Sequence, residues 1–89
     1  MVAGIMFLAR IEVTLKPTVN DPQGNTVQGA LASLGFDGVR SVRVGRYIEV
    51  RLTAESVASA ERQVDEMCQK LLANPVIEQY RFQVSEIAE

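Results

Sequence analysis

The sequence predicts an α+β domain built as a two-layer sandwich, with a four-stranded antiparallel sheet carrying two helices on one face in the order β-α-β-β-α-β. Three observations carry that prediction. From Phe7 to Lys16 an apolar residue recurs at every second position, which is the period of a half-buried strand. From Thr53 to Asn74, Val57, Ala60, Val64, Met67, Leu71 and Leu72 recur at spacings of three and four, which is the stripe of an amphipathic helix. Between them, Asp21-Pro22 and Gly35 bracket a second, shorter helical stretch.

Taken in order, the first strand places Phe7, Ala9, Ile11, Val13 and Leu15 on one face and Leu8, Arg10, Glu12, Thr14 and Lys16 on the other. It can begin at Met6, so residues 1–5 are expected to be a frayed leader. Lys16-Pro17 stops the strand, and a loop runs to Asn20. Asp21 is then an N-cap whose carboxylate accepts free backbone N–H groups, and Pro22 takes the first helical position, where no N–H is needed. Val27, Ala30, Leu31 and Leu34 form the apolar stripe of this helix. Gly29 inside it costs about 1 kcal/mol relative to alanine, which suggests a close approach to another backbone. Gly35 suits the left-handed position that closes the helix.

Two short strands are expected next, Val39 to Val44 and Tyr47 to Leu52. A three-residue connection, Gly45 to Tyr47, brings Val42, Val44, Ile48 and Val50 to one face, whereas a two-residue loop mixes the faces. The competing arrangement buries both faces, one under helices and one against another subunit. The long helix follows, with Thr53 or Ser56 as N-cap and Asn74-Pro75 as its stop. Last comes the strand Ile77 to Ser85, in which Tyr80, Phe82 and Val84 alternate with polar residues, and residues 86–89 are expected to be a frayed tail. The whole reads as one domain, 1–89, with no linker or low-complexity stretch.

Composition narrows the function. Nine basic residues against eleven acidic ones leave a formal charge of −2, which argues against a nucleic-acid or anionic-membrane surface. The apolar run Val2 to Ala9 is too short to span a bilayer and lacks the basic start of a secretion signal. The single cysteine, Cys68, permits no internal disulfide and reads as a buried structural thiol in a reducing, cytoplasmic setting. A domain of 89 residues buries only about 60–65% of its extended surface, so association with copies of itself or with a partner is expected.

The search for chemistry finds little. With no histidine, the usual general base and commonest metal ligand are missing, and no nucleophile elbow, phosphate loop or dinucleotide fingerprint is present. No catalytic, cofactor or metal site is assigned to this chain. The carboxylates Glu61, Asp65 and Glu66 fall on the solvent side of the long helix. Asp21 to Gly24 can be read as a helix cap or as an anion site, and the cap is favoured because Asp21 itself occupies the positive end. Phe7, Tyr80 and Phe82 point inward and leave Tyr47 and Phe36 for display, too few outward aromatics for single-stranded RNA. The sheet face away from the helices collects Arg10, Glu12, Arg43, Glu49, Arg51 and Arg81, a mixture of signs that suits protein–protein contact or water.

Four segments in this order and spacing resemble the PurS family. They are Val13-Thr14-Leu15-Lys16-Pro17, Asp21-Pro22-Gln23-Gly24, the run from Val42 to Val50 (VRVGRYIEV), and the run from Met67 to Glu78 (MCQKLLANPVIE) leading to Tyr80-Arg81-Phe82. The resemblance covers roughly Met6 to Val84 and implies the ferredoxin-like topology already derived. It also implies membership of phosphoribosylformylglycinamidine (FGAM) synthase, a carbon–nitrogen ligase of purine biosynthesis. That enzyme converts formylglycinamide ribonucleotide (FGAR), ATP and glutamine to the amidine, ADP, phosphate and glutamate. In the family a glutaminase subunit, PurQ, releases ammonia and a large synthetase subunit, PurL, consumes it. ATP, magnesium and glutamine belong to those partners, and the small subunit bridges them and assists ammonia transfer as a dimer or tetramer. The resemblance supplies no catalytic residue. Contact candidates, chosen for expected exposure, are Asp21, Gln23, Arg43, Arg46, Tyr47 and Arg81. The alternative is an ACT-like regulatory dimer that binds a small metabolite near Asp21 to Gly24; a small phosphatase of the same topology is more distant, since its arginine pattern is missing.

Overall fold

The computed structural model describes residues 4–88, and its sheet is organised on one central strand. β1 (Ile5–Leu15) pairs antiparallel on both edges, with β2 (Gly45–Ala54) on one side and β3 (Glu78–Glu86) on the other, so the strand order is β2-β1-β3. The alternation expected of β1 holds from Ala9 onward, with Ala9, Ile11 and Val13 buried and Arg10 and Glu12 exposed, while at its start Leu8, expected on the outward face, is buried along with Phe7. On the buried face Ile48, Val50 and Leu52 of β2 and Phe82 and Val84 of β3 flank the central row. α2 (Val57–Met67) lies over it and contributes Ala60 and Val64, followed by Cys68 and Ala73. Ser56 is the N-cap, its hydroxyl accepting the Ser59 N–H at 3.1 Å, and Thr53, the other candidate, belongs to β2.

Among the described residues the sheet has three strands, not the expected four. The expected strand Val39–Val44 joins no ladder, and Gly45-Arg46-Tyr47, expected to turn, continues as β2 opposite Thr14, Val13 and Glu12. The reason lies in β1, whose eleven residues offer pairing positions beyond the reach of a short hairpin. Gly45 fits because it has no side chain: a Cβ there would lie 2.3 Å from the Val13 carbonyl oxygen. The two-helix layer is corrected as well. α1 (Pro22–Ser33) buries only Gly24 and contributes to neither core cluster, so among the described residues the sheet is covered by α2 and the turn that follows it.

α1 itself is built as its sequence requires. Asp21 caps it, Pro22 opens it, and Gly35 closes it at φ +95°, its N–H donating to Ala32 and that of Phe36 to Leu31. The close approach expected at Gly29 is not met within the chain, where a Cβ would touch nothing within 4 Å. The long helix also differs from the single stripe expected. After Met67 the backbone widens into a π-helical turn, Cys68–Leu72, closed by the Ala73 N–H on the Cys68 carbonyl, five residues back. The wider turn keeps Cys68 and Ala73 on the buried face and rotates Leu71 outward.

Of the expected leader, residues 1–3 lie outside the described residues, while Ile5 already pairs with Ala54. The expected tail is tied in part: Glu86 closes β3 and the Ile87 N–H donates to the Met6 carbonyl, with residue 89 outside the description. The chain is elongated, 58 × 28 × 14 Å, with a radius of gyration of 17.2 Å. A compact domain of this length has about 12 Å.

Substituting Gly45→Ala should therefore cost on the order of 1–3 kcal/mol in urea unfolding, because the methyl group must displace the β1 backbone at Val13. Unfolding at the wild-type midpoint would show that β2 relaxes there at no cost.

Candidate functional site

Two polar constructions stand out, one on the open face of the sheet and one at the root of α1. On the sheet, strand pairing sets Arg10 opposite Glu49 and Gln83, and Glu12 opposite Tyr47 and Arg81. Arg81 Nε donates to Glu12 Oε1 at 3.0 Å, Arg10 Nη1 to Ser85 Oγ at 3.2 Å, and the Tyr47 hydroxyl to Glu49 Oε2 at 2.8 Å. That last bond raises the Tyr47 phenol above its ordinary pKa, so Tyr47 stays a neutral donor. These partners remain largely in water, where such pairs hold geometry with little energy. The face is a shallow, mixed-charge surface with donors and acceptors spread over three strands.

At the root of α1, Asp21 is buried, 5% exposed. Its Oδ1 accepts the Gly24 N–H at 2.9 Å and its Oδ2 the Val44 N–H at 2.9 Å, so one carboxylate ties the helix start to the segment that returns to the sheet. These two bonds, with Arg43 nearby, hold the carboxyl below its ordinary pKa. Gly24 makes the fit possible, since a Cβ there would lie 2.2 Å from the Val42 carbonyl oxygen. Arg43 completes the root, its Nη2 donating to the Leu15 and Lys16 carbonyls at 2.8 Å each and Nη1 to Val19 at 3.4 Å.

The six contact candidates thus part company. Tyr47 and Arg81 share the open sheet face, whereas Arg46, opposite Val13, lies at the edge of the helix-side face, where its Nη2 donates to both carboxylate oxygens of Glu78 at 2.9 and 3.0 Å. Gln23 is exposed on α1. Asp21, chosen for exposure, is instead buried in the clasp, because the cap geometry that made it recognisable also spends both its oxygens. Arg43 lies outside the strands and binds backbone carbonyls, and it borders the end of the open face beside Glu12 and Arg81. Sequence reasoning missed an apolar rim: Leu71, Val76 and Ile77 are exposed where the π-helical turn leads into β3. The outward turn of Leu71 depends on one extra residue per turn, which periodicity does not announce.

Nothing in this arrangement activates a nucleophile. Burial pushes the Cys68 thiol up, with Asp65 adding to the effect, and the Tyr80 phenol is raised by donating to Asp65 at 2.6 Å. Among the described residues no three His, Cys, Asp or Glu side chains are grouped to hold a metal, and no helix is long and apolar enough to cross a membrane.

Known proteins share this frame. Residues 8–86 match the family model described as PurS, phosphoribosylformylglycinamidine (FGAM) synthase. The chain is 53% identical over 78 residues to the phosphoribosylformylglycinamidine synthase subunit PurS of Synechocystis, covering 88% of this chain and 78% of that one. It is similar to the crystal structure of Methanocaldococcus jannaschii PurS, one of the subunits of formylglycinamide ribonucleotide amidotransferase in the purine biosynthetic pathway. There the TM-score is 0.81 at 39% identity, covering 92% and 99% of the two chains. It is similar also to a chain in the structure of PurLQS from Thermotoga maritima, with a TM-score of 0.79 at 33% identity over 92% and 98%. These similarities give the regulatory, metabolite-binding alternative no support.

The clasp makes stability depend on pH in one direction. Since folding lowers the Asp21 pKa from its ordinary 3.8, the charged clasp contributes fully above that value and is lost as pH falls through the lower, folded-state value. Asp21→Asn replaces one acceptor with a donor facing a backbone N–H. Urea midpoints measured from about pH 6 down to about pH 2 should show the wild type ahead of this variant at the upper end, with the gap closing at the lower. A constant gap would remove the carboxylate from the account.

Proposed function

The chain belongs to the PurS family, and we propose that it bridges the glutaminase and synthetase subunits of FGAM synthase as a non-catalytic part of that enzyme. The observation that carries this reading is the likeness, over nearly the whole length of both chains, to a chain of PurLQS. The partners are then PurL and PurQ, and the reaction is the conversion of FGAR to FGAM in purine biosynthesis. An elongated chain whose polar side chains pair among themselves offers shaped surface and no reactive group, which is what a bridge requires.

The chemistry explains why a bridge is useful. Ammonia released to water at neutral pH becomes ammonium and loses its nucleophilic lone pair, so the two active sites must be held in register along a protected path. Glutamine and ATP are handled by the larger subunits, and the small one contributes position. The open sheet face, with Tyr47, Glu49 and Arg81, is the surface we assign to these partners, together with Arg46 and Gln23. Copies of the chain associate, as a dimer or tetramer, and the segment Val39–Val44 is available there as the fourth strand. A cytoplasmic location is supported by the free, buried thiol of Cys68.

Reconstitution tests the bridge. Glutamine-dependent FGAM formation by PurL and PurQ should fall at least about tenfold when this chain is omitted, while synthesis from added ammonium salt persists. A glutamine-dependent rate unchanged by omission would sink the bridging role.

A further inference from the structure

Six side chains of this protein, those of Asn20, Asp21, Asn25, Asp37, Asp65 and Asn74, carry a carbonyl carbon within ring-closing distance of the next backbone nitrogen. Closure needs that nitrogen to bear a free N–H and the backbone around it to bend. The fold denies this to five of the six. Asp21 and Asn74 precede prolines, which have no N–H. Asn25 and Asp65 lie inside α1 and α2, where the following N–H is held in a helical bond. The Asp65 oxygens also accept from Tyr80 at 2.6 Å and Gln69 at 2.7 Å. Asn20 accepts from the Asn25 amide at 3.0 Å, and the residue after it, Asp21, is fixed in the clasp.

Asp37-Gly38 differs on each count. Both residues are exposed in a turn, and a Cβ built on Gly38 would meet nothing within 4 Å. Among the described residues neither the Asp37 carboxylate nor the Gly38 N–H has a hydrogen-bond partner. The anchors lie on either side. The Phe36 N–H donates to the Leu31 carbonyl at 3.0 Å, and Gln28 Nε2 donates to the Arg40 carbonyl at 3.1 Å. The span between them can bend while both of its ends stay tied to α1.

We infer that Asp37 isomerises spontaneously in the folded protein and so becomes the acceptor for a carboxyl methyltransferase that uses S-adenosylmethionine. The Gly38 nitrogen bonds to Asp37 Cγ, and the carboxyl hydroxyl leaves with the amide proton as water, closing a five-membered succinimide. Water then opens one of the two imide carbonyls. Opening at the main-chain carbonyl of residue 37 leaves the chain running through Cγ, one methylene longer, with the former main-chain carbon as a free carboxylate. That carboxylate takes the methyl group, and S-adenosylhomocysteine is the other product. The inference is independent of the assignment to FGAM synthase.

The full chain, kept folded at neutral pH for several weeks, provides the test. Samples are treated with protein isoaspartate methyltransferase and labelled S-adenosylmethionine, and the label is located by peptide mapping. It should accumulate in the peptide that holds Asp37 and in no other. Gly38→Ala should age at least about tenfold more slowly, since a Cβ hinders the approach of the nitrogen. Asp37→Glu should stay at background, because its ring would need six members. Circular dichroism of both variants should match the wild type, as the turn has room for them. In urea, the Asp37 rate should lie within about tenfold of the folded rate, because the fold leaves this span unconstrained. Four results would each overturn the inference: no label at residue 37, label shared with Asn20 or Asn25 in the folded chain, Gly38→Ala ageing like the wild type, or a folded rate further below the unfolded one than that.

Discussion

Every other part of this molecule takes its place from the double pairing of β1. The central strand satisfies its backbone on both edges, and its inward row is the floor on which α2 lies. Because burial of that row is the main source of stability in so small a domain, the neighbours are selected for length as well as pattern. β2 runs straight to Gly45 to meet the far end of β1, and this prevents the hairpin that a shorter partner would have allowed. The segment before Gly45 is thereby carried past the sheet, and α1 goes with it.

Form and role meet at that point. A fold that places α1 away from its own sheet gives up compactness and gains reach, with a rigid root in the Asp21 and Arg43 bonds. A bridging subunit needs that trade: surfaces for several neighbours, fixed relative to one another, with no chemistry of its own. The charged groups on the open face are arranged accordingly, paired side to side across the strands and left facing water.

Much of this was legible in the residues, and the failures have identifiable physics. The alternation of β1 from Ala9 onward, the Asp21-Pro22 start, the Gly35 stop and the inward aromatics of β3 are local signals, decided by neighbours a few positions away, and the structure places them as read. The fourth strand fails because face-matching between Val39–Val44 and Tyr47–Leu52 assumes that adjacent strands fold onto each other, whereas the partner of Tyr47–Leu52 is β1, 35 to 45 residues upstream from Glu12–Tyr47 to Phe7–Leu52. Asp21 reads as an accessible group because a cap needs only one of its oxygens; the second is engaged by Val44, twenty-three residues on, through a contact that no spacing reveals. The resemblance to PurS was legible for a different reason, since four short segments in fixed order carry more information about ancestry than about which side chains touch.

The widened turn at Cys68–Leu72 has a consequence for comparing this chain with its relatives. It stores one residue more than a regular helix needs while keeping the flanking faces aligned. Removing a single position there would let the turn close with an ordinary bond four residues back, leaving Cys68 and Ala73 on the same buried face. A one-residue gap in an alignment at this point is therefore loss of the widened turn with the packing phase kept, whereas the same gap in the regular part of α2 would rotate one buried face against the other.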